Sequence, residues 1–215
     1  MYCNYKVYYN NSFVLFTGDR SQINKSFAKI FILQQEIDAF LKNSQFLFDK
    51  KNDVNILVVC DKPGELICGF IETLDIIMAG GGIVTNENDE ILLIFRRGKW
   101  DMPKGKIELK EEIIDGARRE VEEETGVKIA WTEAKPCITY HAYQLKGKNC
   151  LKETNWFKMK AAPGQKHLTP QTEEDIEKAI WVKKCDLKNY KDGCYTMIWD
   201  LLEPYAVEQV PDTLA

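Results

Sequence analysis

Residues 105–127 read GKIELKEEIIDGARREVEEETGV, and four of the six residues in Glu120–Thr125 are glutamates. At 100° per residue, Glu120, Glu123 and Glu124 fall on one face of a predicted helix. Carboxylates one turn apart repel one another and weaken a helix. This face therefore indicates a site for something strongly positive.

An apolar stripe adjoins the acidic face and would dock the helix on a sheet; its members are Ile114, Ala117 and Val121. Glu122 points the other way, towards water. The three carboxylates thus lie at the edge of a buried face, where desolvation makes like charges costly. Hard divalent cations bind oxygen ligands, and Mg²⁺ combines a few carboxylates with waters and phosphate oxygens. The pattern predicts a cation site, and a charged face that only meets solvent is the alternative.

The spacing of these residues resembles the complete signature of the Nudix hydrolases. Gly105 is followed after five residues by Glu111, and seven further residues lead to the run Arg119–Val127, REVEEETGV. The resemblance implies an α/β fold, namely an α/β/α sandwich with a mixed sheet. It also implies an enzyme that needs Mg²⁺ or Mn²⁺ and hydrolyses a pyrophosphate linkage in a nucleoside diphosphate joined to another group.

The same resemblance assigns roles to individual residues. The metal ligands of the family correspond to three carboxylates and a backbone carbonyl, at Glu120, Glu123, Glu124 and Lys104. Glu111 and Arg119 correspond to an orienting pair, in which the guanidinium fixes the angle of a carboxylate towards the metal. Metal ions in such a site polarise the bridging phosphates and lower the pKa of an attacking water. The catalytic group is therefore expected to include Glu111, Arg119, Glu120 and Glu123.

A basic stretch precedes the acidic helix. Residues 94–106, IFRRGKWDMPKGK, hold five basic residues and one acid in a chain whose net charge is −4. We interpret the stretch as an anion clamp with local positive potential, and plain surface solvation is the alternative. Trp100 either packs in the core or stacks on a nucleotide base. The candidate phosphate contacts are Arg96, Arg97, Lys104 and Lys106.

The order W-x-x-P-K-G in Trp100–Gly105 is similar to the Nudix subgroup that acts on dinucleoside polyphosphates and, more loosely, on diphosphoinositol polyphosphates. That subgroup tends to place a tyrosine sixteen to eighteen residues beyond the signature. Tyr143 lies sixteen beyond Val127, and Tyr140 is a nearby rival. Ala142 stands where ADP-ribose hydrolases tend to have proline. The resemblance therefore favours substrates with long phosphate chains.

A polar loop supplies candidates for the general base. Gln165–Glu177, QKHLTPQTEEDIE, precedes the predicted strand AIWVKK, and family members often take a base from a loop in this position. Glu174 is the preferred residue and Glu173 the alternate. A glutamate of the signature could serve instead, and either loop acid could simply be solvated.

The first third of the chain predicts a separate small α/β domain. KVYY and SFVLF flank Asn10-Asn11, a hairpin turn because Asn tolerates positive φ. Helical spacing then follows in residues 33–41, NILVVC predicts a buried strand, and residues 67–74 predict a second helix. We therefore expect domains at 1–75, of unknown role, and at 76–215, the Nudix hydrolase domain.

Strands dominate the second region. IIMAGGGIV and EILLIF flank a turn at residues 86–89, and further strands are predicted at CITYHAYQL, TNWFKMKA and AIWVKK. The glycine triplet precedes a strand and not a helix, so it indicates close packing in a sheet and not a dinucleotide loop. A last helix is expected around residues 195–202, before Pro204.

Composition excludes several classes of protein. The seven cysteines are odd in number and form no CxxC pair, which favours reduced thiols in the cytoplasm and argues against a zinc site. No basic and apolar leader opens the chain, and no apolar run approaches the ~20 residues of a membrane span. An acidic chain without a basic reading helix is not expected to bind DNA.

Three functions remain distinct possibilities at this point. The first is a hydrolase whose partner is a phosphorylated small molecule of the nucleotide type, with nucleoside triphosphates, sugar nucleotides, ADP-ribose and inositol pyrophosphates as further substrate classes. The second is a catalytically silent Nudix-fold sensor, which loss of a signature glutamate would favour; none is lost. The third is a scaffold in which residues 1–75 mediate contacts. Those residues could instead cap an active site or form a homodimer interface.

Overall fold

The computed structural model describes residues 4–24, 26–49, 51 and 53–206. The helices are α1 (Gln34–Lys42), α2 (Pro63–Ile71), α3 (Ile113–Thr125) and α4 (Thr196–Leu202). The strands are β1 (Asn4–Tyr9), β2 (Ser12–Thr17), β3 (Lys29–Phe31), β4 (Ile56–Val59), β5 (Asp75–Thr85), β6 (Ile91–Arg96), β7 (Lys99–Asp101), β8 (Lys104–Lys106), β9 (Ile129–Thr132), β10 (Cys137–Leu145), β11 (Lys148–Ala161) and β12 (Ile176–Val182).

Contacts divide the chain into two compact units. The first comprises the described residues up to Ile77 together with Thr139–Glu153, and the second comprises Met78–Ile138 and the described residues from Thr154 onward. This partition differs from the division after residue 75 at Ile76 and Ile77 and in the segment Thr139–Glu153. The segment joins the first unit because Ala142 and Leu151 are buried in its core.

In the first unit, β1 and β2 form the predicted antiparallel hairpin, and Asn10 has a φ of 50° in its turn. β2, β4 and β3 are neighbours in that order and run parallel, while β1 pairs parallel with β10. α1 and α2 pack on one face through buried residues that include Ile37, Phe40, Ile67 and Phe70. Leu33 precedes α1 and is exposed, and Leu74 lies beyond the end of α2.

In the second unit, β12, β6, β5 and β11 are neighbours in that order, with β7 on β6, β8 on β5 and β9 on β11. Successive side chains of a strand point to opposite faces. Ile83, Leu93 and Trp156 accordingly share one core with α4 and the 3-10 helix Lys184–Gly193. Val84 and Leu92 share a second core with α3. Helices therefore cover both faces, and with parallel and antiparallel pairs present in the chain, the predicted α/β/α sandwich with a mixed sheet is confirmed.

The glycine triplet of β5 serves close packing, as predicted. A Cβ at Gly81 would lie 2.5 Å from the carbonyl oxygen of Pro103. A Cβ at Gly82 would lie 2.9 Å from the Cγ2 of Val121, which belongs to α3. The triplet thus lets helix and neighbouring backbone approach the strand.

Two predictions concern membrane-spanning helices and the state of the cysteines. Among the described residues, no helix is long and apolar enough to cross a membrane. Cys3 lies outside the described residues, and the other six cysteines are free thiols.

Candidate active site

The acidic helix α3 lies on the sheet as its apolar stripe predicts. Ala117 and Val121 are fully buried in the core beneath it. The helix ends at Gly126, whose φ of 74° is left-handed and whose N–H donates to the carbonyl of Glu122. A C-terminal glycine of this kind is the usual end of a helix. The acids of its last two turns include Glu120 and Glu124, which lie against Gly105 and Lys104 of β8.

Arg119 is the centre of the exposed half of the site. Its Nη1 donates to Glu120 Oε1 and to Glu123 Oε2, each at 2.9 Å. Its Nη2 donates to the carbonyl of Lys106 at 3.2 Å. One guanidinium therefore draws two of the predicted metal ligands together.

Glu111 completes this arrangement. It accepts two hydrogen bonds from Arg119, from Nε at 2.9 Å and from Nη2 at 3.0 Å, and a third from the backbone N–H of Glu108 at 2.9 Å. Arg119 holds the pKa of Glu111 far below its ordinary value, at about 2. A Cβ at Gly116 would lie 2.6 Å from Glu111 Oε2, so only glycine leaves room for the carboxylate there. Glu111 and Arg119 lie together as the resemblance implies.

Glu124 forms the buried half of the site. It is 0% exposed, and it accepts from the backbone N–H of Lys104 at 2.8 Å and from Arg96 Nη1 at 3.3 Å. Burial raises its pKa from 4.5 to about 7, although the charges of Lys104 and Arg96 oppose the shift. A carboxylate this enclosed favours a proton or a metal cation as its partner.

Lys104 lies where a phosphate contact was expected, but its ammonium faces inward. Nζ donates to Asp101 Oδ2 at 2.6 Å, and the two side chains are only 10% and 6% exposed. The expectation that Lys104 offers a free cation to the substrate is therefore corrected, because Asp101 already pairs with it. Its backbone N–H serves the site by binding Glu124.

Glu120 is fitted closely against Gly105. A Cβ at Gly105 would lie 1.8 Å from Glu120 Oε2, so any other residue would displace the carboxylate. Burial raises the pKa of Glu120, and the negative charges of Glu123 and Glu174 add to the rise while Arg119 opposes it. The glycine of the signature thus makes space for a carboxylate whose charged form is disfavoured by burial.

The polar loop brings Glu174 to the site. The loop is fixed to the end of α3 by two backbone bonds, from Gln171 N–H to the carbonyl of Glu124 at 3.1 Å and from Thr169 N–H to that of Thr125 at 2.8 Å. Arg96 Nη2 then lies 3.9 Å from Glu174 Oε2. Glu173, on the same 3-10 helix, forms no ion pair with a described residue.

The other predicted phosphate contacts differ in whether an acidic residue already binds them. Arg97 is held by Asp175 through Nε at 3.1 Å and Nη2 at 3.0 Å, with both side chains exposed. The side chains of Lys99 and Lys106 form no ion pair with any residue that the structure describes, and Lys106 is exposed. Lys106, whose carbonyl accepts a hydrogen bond from Arg119, is therefore an uncommitted cation next to the site.

Two aromatic candidates are placed differently. Trp100 is half-buried, with its ring centroid 5.0 Å from those of Phe95 and Tyr190, and it packs against the core beneath α4. These contacts match the core alternative for Trp100. Tyr143 belongs to the first unit, where its ring stacks on His141 at 5.7 Å. A role for Tyr143, or for its rival Tyr140, stays a prediction.

The site contains carboxylates, which are suitable ligands for a divalent cation, but their present hydrogen bonds point them at other partners. Within residues 4–24, 26–49, 51 and 53–206, no three acidic, histidine or cysteine side chains are arranged to hold a metal ion. The reason is visible, because Arg119 binds Glu120 and Glu123 while Glu124 is bonded elsewhere. The candidate side-chain ligands are all carboxylate oxygens, which hard cations prefer.

Sequence reasoning missed three contributors. Asp101 neutralises Lys104, Asp175 binds Arg97, and the backbone of Gln171 fixes the polar loop. Asp101 left a signal, since it is the single acid in the basic stretch and lies three residues from Lys104. The other two contacts join segments distant in sequence.

Two curated proteins are similar in sequence to parts of this chain. The curated Nudix hydrolase 8 of Arabidopsis thaliana is 42% identical over 60 residues, which are 25% of this chain and 16% of that protein. The m7GpppN-mRNA hydrolase dcap-2 of Caenorhabditis elegans is 31% identical over 140 residues, which are 60% of this chain and 16% of that protein. The matches thus span about a sixth of the length of these relatives.

Solved structures also show similarity. A mutator MutT protein from Bacillus halodurans has a TM-score of 0.47 at 26% identity and covers 59% of this chain and 80% of its own. An Ap4A hydrolase from C. elegans has a TM-score of 0.42 at 19% identity, with coverages of 60% and 95%. The sequence profile described as the NUDIX domain matches residues 77–195. Because that profile spans more than half of the 215 residues and contains the whole site, the chain belongs to the Nudix family.

Proposed function

We propose that the protein is a divalent-metal-dependent hydrolase that cleaves a pyrophosphate linkage in a nucleotide-type substrate. The observation that carries the proposal is Glu124, a fully buried carboxylate with a pKa raised to about 7, beside a second half-buried acid, Glu120. A fold gains little from burying acids together unless a cation joins them. Nudix hydrolases generally use divalent metals, and Mg²⁺ or Mn²⁺ is the ion we propose.

The metal would be held by Glu120, Glu123 and Glu124, and once bound it would polarise a bridging phosphate and activate water. Arg119 must then release Glu120 and Glu123 while it keeps Glu111, because Glu111 binds it through two separate nitrogens. The guanidinium so held remains beside both ligands and orients them. Glu111 is thus a positioning residue in this proposal.

Glu174 is the proposed general base. Its side chain is 51% exposed, so water reaches it, and Arg96 lies between it and the buried Glu124. A base must lie within hydrogen-bond reach of the proton that it takes. A carboxylate at the mouth of the site, next to an arginine that also binds Glu124, is suited to accept the proton of an attacking water.

We propose a substrate in which phosphates form a chain between two groups, with dinucleoside polyphosphates as the first class to test. Lys106 supplies an uncommitted cation next to Arg119, and negative charge on a longer phosphate chain can reach it. The relative from C. elegans is an m7GpppN-mRNA hydrolase by name, so its substrate is also a nucleotide joined through phosphates. Capped dinucleotides therefore belong in the same test, and the free thiols support a cytoplasmic setting for it.

The test is a substrate panel with Mg²⁺, with Mn²⁺ and with a chelator, scored by the masses of the products. The panel contains diadenosine tetraphosphate, m7GpppG, ADP-ribose, a nucleoside triphosphate, a sugar nucleotide and an inositol pyrophosphate. We expect cleavage only with metal, and the highest kcat/KM for diadenosine tetraphosphate. Tight nucleotide binding without any product, by the wild-type protein, would show a sensor instead. Best turnover of ADP-ribose would overturn the proposed substrate class and leave the hydrolase proposal standing.

A further inference from the structure

The first unit contains a cavity that the proposed hydrolase activity does not use. Its volume is about 600 Å³, within the range of sites for small molecules. A neighbouring cavity of about 320 Å³ shares two of its lining residues, Arg20 and Asp61. We call the larger one the strand-end cavity; it is lined in part by Arg20, Ile37, Val59, Cys60, Asp61 and Lys62.

The strand-end cavity lies where three parallel strands finish. β2, β4 and β3 run in the same direction, so their carboxyl ends meet at one edge. Arg20 follows β2, and Cys60 and Asp61 follow β4. α1 and α2 both begin at this edge, separated by two and three residues from the ends of β3 and β4, respectively.

The connections that leave β2 and β4 pass over opposite faces. The connection from β2 to β3 covers the face of Leu15 and Leu57, on which Phe27 packs. α2, which follows β4, covers the opposite face through Phe70 and others. In open sheets, ligands bind outside the carboxyl ends at the point where neighbouring strands send their connections to opposite faces. The strand-end cavity occupies such a point.

The charges of the cavity suit a ligand with two kinds of polar group. Lys62 is paired with Glu65 at 2.8 Å. Arg20 and Asp61, by contrast, form no side-chain ion pair with any residue that the structure describes. The amino ends of α1 and α2 add partial positive charge at the same edge. Arg20 can bind a phosphate in a bidentate manner, while Asp61 accepts hydrogen bonds from hydroxyl groups and repels a second anion.

We propose that the strand-end cavity binds a phosphate ester of a sugar, with the phosphate on Arg20 and the sugar hydroxyls on Asp61. Nucleoside monophosphates and simple sugar phosphates share this chemistry. All lining residues belong to the first unit, whereas the acidic helix belongs to the second. The proposal does not depend on hydrolase activity.

The test is a titration of the full-length, chelator-treated protein, followed through its backbone amide NMR signals. The probes are AMP, ribose 5-phosphate, inorganic phosphate and adenosine. We expect shifts of the amides of residues 18–21 and 60–65 with both phosphate esters, weaker shifts with inorganic phosphate and none with adenosine. Tighter binding of AMP than of ribose 5-phosphate would identify a nucleotide site, and equal binding a sugar phosphate site.

Matched variants decide whether the named residues carry the binding. Arg20→Gln should weaken binding of both esters by at least about tenfold, the scale of one charge-assisted hydrogen bond. Lys42→Gln removes an exposed cation at the far end of α1 and should change affinity less than about twofold. Asp61→Asn should abolish the advantage of ribose 5-phosphate over inorganic phosphate. Shifts confined to the second unit, no shifts at millimolar ligand, or equal effects of Arg20→Gln and Lys42→Gln would each overturn the proposal.

Discussion

Helix α3 carries two sets of acids that are neutralised in different ways. On its more exposed side a single guanidinium, Arg119, binds Glu120 and Glu123 together with Glu111, which lies two residues before the helix. On its buried side Glu124 is enclosed and accepts hydrogen bonds from the backbone N–H of Lys104 at 2.8 Å and from Arg96 at 3.3 Å. The pKa falls to about 2 for Glu111 and rises to about 7 for Glu124, although both are glutamates of one motif. Partners and burial, and not residue type, set their proton affinity.

The difference has a functional meaning under the proposed mechanism. The exposed set already has its positive partner, so a metal ion must compete with Arg119 for Glu120 and Glu123. Glu124 has Arg96 as a cationic partner, yet burial keeps its pKa at about 7, so a metal ion there replaces a proton. We therefore expect changes on the buried side to affect stability, metal binding and pH dependence together. Changes on the exposed side should affect the orientation of the ligands more than the fold.

The largest expected effect comes from breaking the buried pair of Lys104 and Asp101. Lys104→Met should lower the free energy of unfolding by about 3–5 kcal/mol, because it leaves Asp101 charged and enclosed. Chemical denaturation measures this, and Lys106→Met, two residues away and exposed, should change little. The double variant Lys104→Met with Asp101→Asn should recover part of the loss. An equal loss from Lys106→Met would show that burial of the pair is not the cause.

Next in size is the loss of turnover on removing the charge of Glu124. Glu124→Gln should lower metal-dependent kcat by at least about 100-fold, since loss of even an outer partner of a metal ligand costs about 10–100-fold. Glu122→Gln is the matched control, because Glu122 lies on the same turn but binds Lys128 and the Ile129 N–H. Wild-type turnover by Glu124→Gln would contradict the assignment.

Breaking the exposed set should have a smaller effect. Arg119→Gln should lower kcat by about 10–100-fold, because Arg119 orients the acids that would bind the metal. Arg119→Lys should not restore activity, because a lysine cannot bridge Glu111 and Glu120 with separate nitrogens. The neighbouring Arg118→Gln is the control. Restoration by lysine would mean that charge alone, and not geometry, is required.

The pH dependence of metal binding tests whether Glu124 holds a proton that a metal ion must displace. Below pH 7 a proton occupies Glu124 and must leave when metal binds, so affinity for Mn²⁺ should fall about tenfold per pH unit. Calorimetric titration at several pH values measures this, and Glu124→Gln should remove the dependence that this group contributes. A metal affinity that stays constant between pH 7 and pH 5 would contradict the shift.

The same group affects stability without metal. Because its pKa in the folded protein lies above 4.5, the folded state holds more protons than the unfolded state between pH 4.5 and 7. The stabilising contribution of protonated Glu124 is therefore lost as pH rises through this window. The wild-type protein should lose stability relative to Glu124→Gln over the same range in metal-free denaturation curves.

The smallest expected effect concerns substrate choice. Lys106→Gln should lower kcat/KM for diadenosine tetraphosphate about two- to fivefold more than for ADP-ribose, and added salt should remove the difference, because an exposed charge is screened. Lys128→Gln, an exposed lysine paired with Glu122, is the control. Equal losses for both substrates would show that Lys106 does not read the length of the phosphate chain.

The long elements could be predicted because their periodic patterns are local. The stripe of Ala117 and Val121 predicts the docking of α3, and Asn10 predicts the hairpin between β1 and β2. The short strands β3, β7, β8 and β9 were not predicted, since three or four residues are too few for an alternating pattern. β11 was predicted too short, because its first residues carry polar side chains as well as apolar ones.

The sequence by itself determined the kind of site, because the spacing of Gly105, Glu111, Arg119 and the glutamates of α3 is a property of one continuous stretch. Only the tertiary structure decided which charges are free. Lys104 turns inward to Asp101, and Glu124 is enclosed while Glu123 stays exposed. Burial and ion pairing depend on contacts between segments that packing brings together, such as Arg96 and Glu174. A one-dimensional pattern shows which residues carry charge, whereas their pKa values and partners follow from distances and desolvation that arise on folding.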